Sequence, residues 1–204
     1  MASVQARAAT VLALTMLCGC LGRSAPPSFY TLRPAARAEV DVASGGPALG
    51  VGPVHLPSYL ERTTIVTRRE NQLSYNDMQR WAGSLESEFL QALGANLARM
   101  LGSHRVAVYP SEPGYPLDFR IALDVVRFDG ALGETVTLEV RWVVTTGTGG
   151  ELLGTGSAKL REPVASRRYR DLVVAHSAAV ESLSRTIAAR IRELGPLQRT
   201  PASE

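Results

Sequence analysis

Between Leu117 and Arg161 apolar and polar residues alternate with period two. Leu117, Phe119, Ile121, Leu123 and Val125 fall between Asp118, Arg120 and Asp124; Val136, Leu138, Val140, Trp142 and Val144 fall between Thr137, Glu139 and Arg141. A third stretch, Leu152 to Leu160, carries small residues on one face and follows the glycine-rich turn Gly147-Thr-Gly-Gly150. This pattern predicts three consecutive antiparallel strands with one face on a core and one in water. Val126 and Phe128 break the phase of the first strand, as a β-bulge would. Elsewhere the period is helical. Trp81, Leu85, Phe89, Leu93, Leu97 and Met100 recur every three or four residues, which predicts an amphipathic helix of about 24 residues, capped by Asn76 or Asp77 and ended near Gly102. Tyr169 to Leu194 forms a second, with Leu172, Val173, His176, Val180, Leu183, Ile187 and Ile191 on its apolar side.

Shorter strands are expected at Ser28–Leu32, within Pro47–Val54 and at Val106–Tyr109. The β-branched run Thr63–Arg68 and Gln72–Tyr75, split by Arg69-Glu70-Asn71, predicts a hairpin. The polar stretch from Arg33 to Gly46 is expected to be a mobile loop, and the two-proline tail 195–204 to be disordered. The fold class is therefore α+β: a mixed, mostly antiparallel sheet with two long amphipathic helices packed on one face. No period of 20 to 50 residues recurs, so the chain is not a repeat array.

The first residues follow a different logic. Arg7 precedes an apolar run from Ala8 to Leu17 that is too short to cross a bilayer, which needs roughly 20 residues. Leu17-Cys18-Gly19-Cys20 resembles a lipobox, in which peptidase cuts before the cysteine and the thiol carries diacylglycerol. A cut before Cys18 would put the large Leu17 where the motif requires a small residue. Residues 1–19 are thus expected to be a signal, Cys20 the lipid attachment site, 20–27 a glycine- and proline-bearing tether, and 28–194 one domain. The two cysteines are then used up, and neither a disulfide nor a thiol nucleophile remains.

Charge and candidate chemistry add little. The formal net charge is +3, one unit of it on Arg7, which argues against nucleic acid as a partner. His55, His104 and His176 lie in different elements without metal-ligand spacing, and His176 belongs to an apolar helix face. Asp118 and Asp124 share a strand face with arginines and glutamates, the pattern of a solvated surface. Thr146 to Glu151 lacks the lysine of a phosphate loop, and there is no Gly-x-Ser-x-Gly or His-Glu-x-x-His. No cofactor and no enzymatic activity are expected.

Two stretches stand apart from plain core. Gly52 to Arg62 is proline-punctuated and carries Leu56, Tyr59 and Leu60 without a regular period. It is either a partner-binding edge, with Arg62 and Arg68 beside its apolar anchors, or a loop covering the sheet. Arg167-Arg168-Tyr169-Arg170 is either a solvated helix start or a contact for lipid headgroups or an acidic partner.

Four motifs in order carry a resemblance: Phe29-Tyr-Thr-Leu32 behind the cysteine; Val51-Gly-Pro-Val-His-Leu-Pro-Ser-Tyr-Leu-Glu-Arg62 with Ile65-Val-Thr-Arg68; Arg80-Trp81-Ala82 with Leu85 and Phe89; and His176-Ser-Ala-Ala179 with Leu183. From Ser28 to Leu194 the chain resembles the ABC-type transport auxiliary lipoproteins, the PqiC-like group. The resemblance implies a periplasmic accessory subunit, working with an MCE-domain protein and ABC or Pqi-type membrane components that move lipids between membranes. It further implies a homo-oligomer docked on an MCE tunnel at the outer membrane. Leu21, where an aspartate would favour inner-membrane retention, agrees with the outer membrane. The alternative is a lipoprotein that holds a lipid or small apolar ligand in its own pocket.

Overall fold

The computed structural model describes residues 26–34, 45–111, 113–147 and 150–195. Cys20, most of the tether, the greater part of the Arg33–Gly46 loop, Thr148 and Gly149 of the glycine turn, and residues 196–204 lie outside the described residues. Eight strands form one mixed sheet: β1 (Ser28–Tyr30), β2 (Leu49–His55), β3 (Thr64–Arg69), β4 (Gln72–Trp81), β5 (Val106–Val108), β6 (Phe119–Gly130), β7 (Thr135–Thr146) and β8 (Leu152–Pro163). Two helices, α1 (Leu85–Leu101) and α2 (Tyr169–Leu194), pack against each other. Helix α1 covers β2 and β5, and α2 covers β6, β7 and β8. The architecture is α+β.

The three alternating segments form the antiparallel ladder β6–β7–β8, the longest in the sheet. The phase break in β6 is a bulge, with the β7 register shifting between Val125 and Arg127. Strands β3 and β4 make the expected hairpin. The remaining pairings, β1–β4, β2–β5, β2–β6 and β3–β6, are all parallel. Antiparallel pairing thus dominates the length of the ladders but not the number of strand pairs.

Strand β6 is the hub. One of its edges is taken by β7 along nearly its whole length. The other is shared: β2 pairs with it as far as Asp124, and β3 meets it only at Gly130. The chain between β2 and β3, which includes a single 3-10 turn at Ser58–Leu60, lies beside the gap.

The start of α1 corrects the sequence expectation. Asn76, Asp77 and Trp81 belong to β4, and the helix cap is Ser84, whose Oγ accepts a hydrogen bond from the Ser87 N–H at 3.2 Å. Glu86 and Glu88 in the first turn suit the positive end of the helix dipole. Trp81 misled because it precedes Leu85 by one helical repeat. It reaches the same core from the end of a strand that pairs with β3 and β1. The C-terminal end is as expected: Gly102 adopts φ 61°, and its N–H returns to Ala98 and Arg99 carbonyls. Between the helices the buried Asn96 donates to Ser184 Oγ at 3.2 Å.

Tight packing at β7–β8 explains the small residues of the last strand. Trp142 is buried opposite Gly156, and a Cβ there would lie 2.3 Å from the indole ring. Gly156→Ala should therefore destabilise the domain by about 1–3 kcal/mol through overpacking, seen as a lower urea midpoint with an unchanged m-value.

Candidate functional site

The segment between β2 and β3 holds most of the sequence-nominated contact residues, and the structure divides them into distinct roles. Leu60 is buried in the core, and Leu56 and Tyr59 are half-buried against it. Tyr59 and Arg68 turn inward onto Asp129, a residue that the sequence did not single out. The Tyr59 hydroxyl donates to Asp129 Oδ2 at 2.7 Å, and Arg68 Nε donates to the same oxygen at 2.9 Å. Arg127 Nε donates to Asp129 Oδ1 at 2.9 Å. The Arg68 guanidinium also sits over the Tyr59 ring, 5.3 Å from its centroid.

This cluster follows from the gap along β6. The bulge resets the alternation, so Val125 and Phe128 both enter the core while Arg127 and Asp129 lie on the other side. With no strand beside this part of the free edge, the Phe128 N–H turns to the Tyr59 hydroxyl at 3.4 Å. The Asp129 side chain is 0% exposed, and a buried carboxylate is stable only when paired and hydrogen-bonded. Burial, then the Asp129 hydrogen bond and charge, push the Tyr59 phenol up to about 12, so it remains a donor. For Arg68, burial works against the charged form, but the bonds to Asp129 and Tyr59 outweigh it and raise the pKa. The network fastens the inter-strand segment to the hub of the sheet.

Arg62 lies outside this network. It is exposed, with its guanidinium 5.5 Å from the centroid of the Tyr75 ring on β4, itself 42% exposed. Glu61, Arg62 and Tyr75 are among the exposed groups of the segment and its neighbour strand.

On the helix side of the same strand, Phe128 packs edge-on against Phe89 and His176, with ring centroids 5.5 and 4.7 Å apart. Trp81 meets His176 edge-on at 5.6 Å. His176 is a core histidine: Nδ1 lies 2.8 Å from the Leu172 carbonyl, and burial pulls its pKa down to about 4. A histidine held neutral in the fold and free to protonate when unfolded makes the unfolded state bind more protons between about pH 4 and 6.5. Its contribution is whole above pH 6.5 and shrinks as pH falls towards 4. Unfolding free energy should drop by about 2 kcal/mol between pH 7 and 5 through this group. Urea titrations of wild type and His176→Phe at both pH values check this, the variant losing that part of the slope.

The other candidates do not converge. Asp118 precedes β6 and accepts the Ala48 N–H at 2.7 Å, with Arg105 3.8 Å away; Asp124 is exposed and pairs with Arg141 at 3.6 Å. Among the described residues no group of three or more His, Cys, Asp or Glu could hold a metal ion. No described helix is long and apolar enough to cross a membrane. A cleft of about 650 Å³ opens at the C-terminal ends of both helices, lined by Met100, Leu101, Phe119 and Ile191 with Arg105, Asp118 and Arg192. Arg192 donates to the Met100 carbonyl and Arg105 to that of Gly46.

Fold and site together describe an α+β domain in which a network on the buried Asp129 braces one surface segment. Residues 30–188 match the family described as ABC-type transport auxiliary lipoprotein component, and the chain belongs to that family. An uncharacterized protein of known crystal structure shares the fold, with a TM-score of 0.67 at 21% identity over 82% of this chain and 99% of the other. A protein from Xanthomonas campestris does so too, with a TM-score of 0.62 at 14% identity over 84% of this chain and 97% of the other. No curated protein matches the chain in sequence.

Proposed function

We propose that this lipoprotein is a non-catalytic accessory subunit of an MCE-type intermembrane lipid transport system. In this reading it is tethered to the periplasmic face of the outer membrane by acyl chains on Cys20. The family match over residues 30–188 carries the reading. The Tyr59–Arg68–Asp129 network supports it, because a surface that must meet a partner in one geometry gains from being fixed beforehand. The contact edge is the segment from Pro53 to Arg68. Leu56, Tyr59, Leu60 and Arg68 hold it in place, while Arg62 presents it together with Tyr75. The partners are an MCE-domain protein and its ABC or Pqi-type membrane components, met by several copies of this chain.

In a strain that expresses the whole operon, mild crosslinking followed by purification of this protein should recover an MCE-domain partner. Repeated recovery of the protein without one would sink the proposal.

The cleft at the helix ends favours a second reading, in which the domain itself carries a small apolar ligand, because Met100, Leu101, Phe119 and Ile191 line it beside a few charged groups. Native mass spectrometry of the mature protein decides it: a ligand-bearing mass supports a carrier, and a clean apo mass removes the reading.

A further inference from the structure

We infer that the groove between β1 and the first turns of α2 is a docking face for an anionic lipid surface. It would hold the domain against the same membrane that carries its anchor; the inference rests on Cys20 being that anchor.

The groove, about 520 Å³, is lined by Phe29, Tyr30 and Arg33 on one side and Arg170, Val173 and Val174 on the other. Its two apolar anchors are the most exposed large hydrophobic residues among the described ones: Phe29 at 62% and Val174 at 63%. Neither residue belongs to the core cluster. The backbone around them is held firmly: the Leu32 N–H donates to Glu88 of α1 at 3.0 Å, and the Arg33 N–H donates to Ser177 Oγ of α2 at 3.1 Å.

The charge of the rim selects the occupant. Arg33 and Arg170 are exposed, and neither forms a salt bridge with a described residue. Arg168 is different, since Asp171 pairs with it at 3.1 Å; that carboxylate is held below its usual range by Ser166 first, then by Arg168, with the nearby charge of Arg170 adding to it. Apolar side chains ringed by arginines match an interface of acyl chains under anionic headgroups. On the sheet face over β6–β8 several charges pair, Arg141 with Asp124 and Lys159 with Glu139.

Chain length points to a membrane and not to another macromolecule. Phe29 lies nine residues after Cys20, so even a fully extended tether spans only about 30 Å. A compact domain of this size is about 40 Å across. The groove opens where the tether enters the fold, so it is the part of the domain that the anchor keeps nearest the bilayer. One acyl-anchored residue together with a basic apolar patch is the two-signal arrangement that makes membrane attachment stable.

The test uses the full lipidated protein with Phe29→Trp or Val174→Trp, reconstituted in phosphatidylethanolamine–phosphatidylglycerol vesicles with or without brominated acyl chains. Trp81 and Trp142 are buried and give a constant background. Bromolipid should quench the Phe29→Trp and Val174→Trp indoles roughly two-fold, as expected for side chains at the headgroup–acyl boundary. Val143→Trp on the opposite sheet face should be unaffected. Adding Arg33→Gln and Arg170→Gln, or raising the salt, should remove most of the quenching. Protein that floats with the vesicles while Phe29→Trp and Val174→Trp behave like the Val143→Trp control overturns this inference alone. Protein that fails to float overturns the Cys20 anchor and this inference with it. Shielding that appears only when an MCE-domain protein is added assigns the groove to that partner and also overturns it.

Discussion

Replacing Arg68 and Arg127 together by methionine is expected to destabilise the domain by about 3–5 kcal/mol at pH 7. For a domain of this size that is a fall in Tm of about 10 °C. Both guanidiniums close on Asp129, whose side chain has no exposure to water, so their removal strands a buried charge. Adding Asp129→Asn to the double variant should recover most of the loss, because the charge that lacked partners is gone. Chemical denaturation of the wild type, double and triple variants at pH 7 checks both statements. A double variant as stable as wild type would mean that the network does not brace the segment.

The largest functional effect is expected from Cys20→Ala. This residue lies outside the described residues, and its modification is part of the proposed function. More than one acyl chain is needed for stable attachment, and each buried methylene contributes about 0.8 kcal/mol. Loss of the thiol removes every chain at once, and weak contacts at the Phe29 groove cannot replace them. The altered protein should fold normally, shift from the membrane to the soluble fraction and fail to complement a deletion strain. Circular dichroism, fractionation and a complementation assay separate these outcomes. A Cys20→Ala protein that stays with membranes and complements fully would remove the anchor from the account.

Much of the fold was legible because its largest pieces are periodic and local. The alternation from Leu117 to Leu160 gave three strands, one bulge and their order, and the stripe from Leu172 to Ile191 gave α2. The start of α1 was misread because Trp81, Leu85 and Phe89 keep helical spacing across a strand, a turn and a helix. A tryptophan at a strand end can fill the same core slot as one on the preceding helical turn, and period alone does not separate them. The parallel pairings were illegible for a different reason. Strand β2 lies between β5 and β6, far away in sequence, and no turn residue sets their register.

The site was half legible. Tyr59 stood out as a member of an irregular, proline-punctuated stretch and Arg68 as a cation at the end of the strand beside it, but their target did not. Asp129 follows Phe128 and precedes Gly130, where an acidic residue reads as the approach to a turn. Only the gap along β6, a feature of strand order, turns it into a buried carboxylate with ligands from two other elements. The signal available in the sequence was the bulge itself, since bulges re-aim the side chains that follow them.

The central claim is that the braced segment from Pro53 to Arg68 is the surface that meets the transport machinery. Site-specific photocrosslinking in cells reads it most directly. A photoreactive residue at Arg62, exposed beside Tyr75, should give an adduct containing an MCE-domain protein. The same residue placed at Thr155, on the outer side of β8, should give none. Adducts from Thr155 and none from Arg62, with both proteins at wild-type abundance on the membrane, would contradict the account.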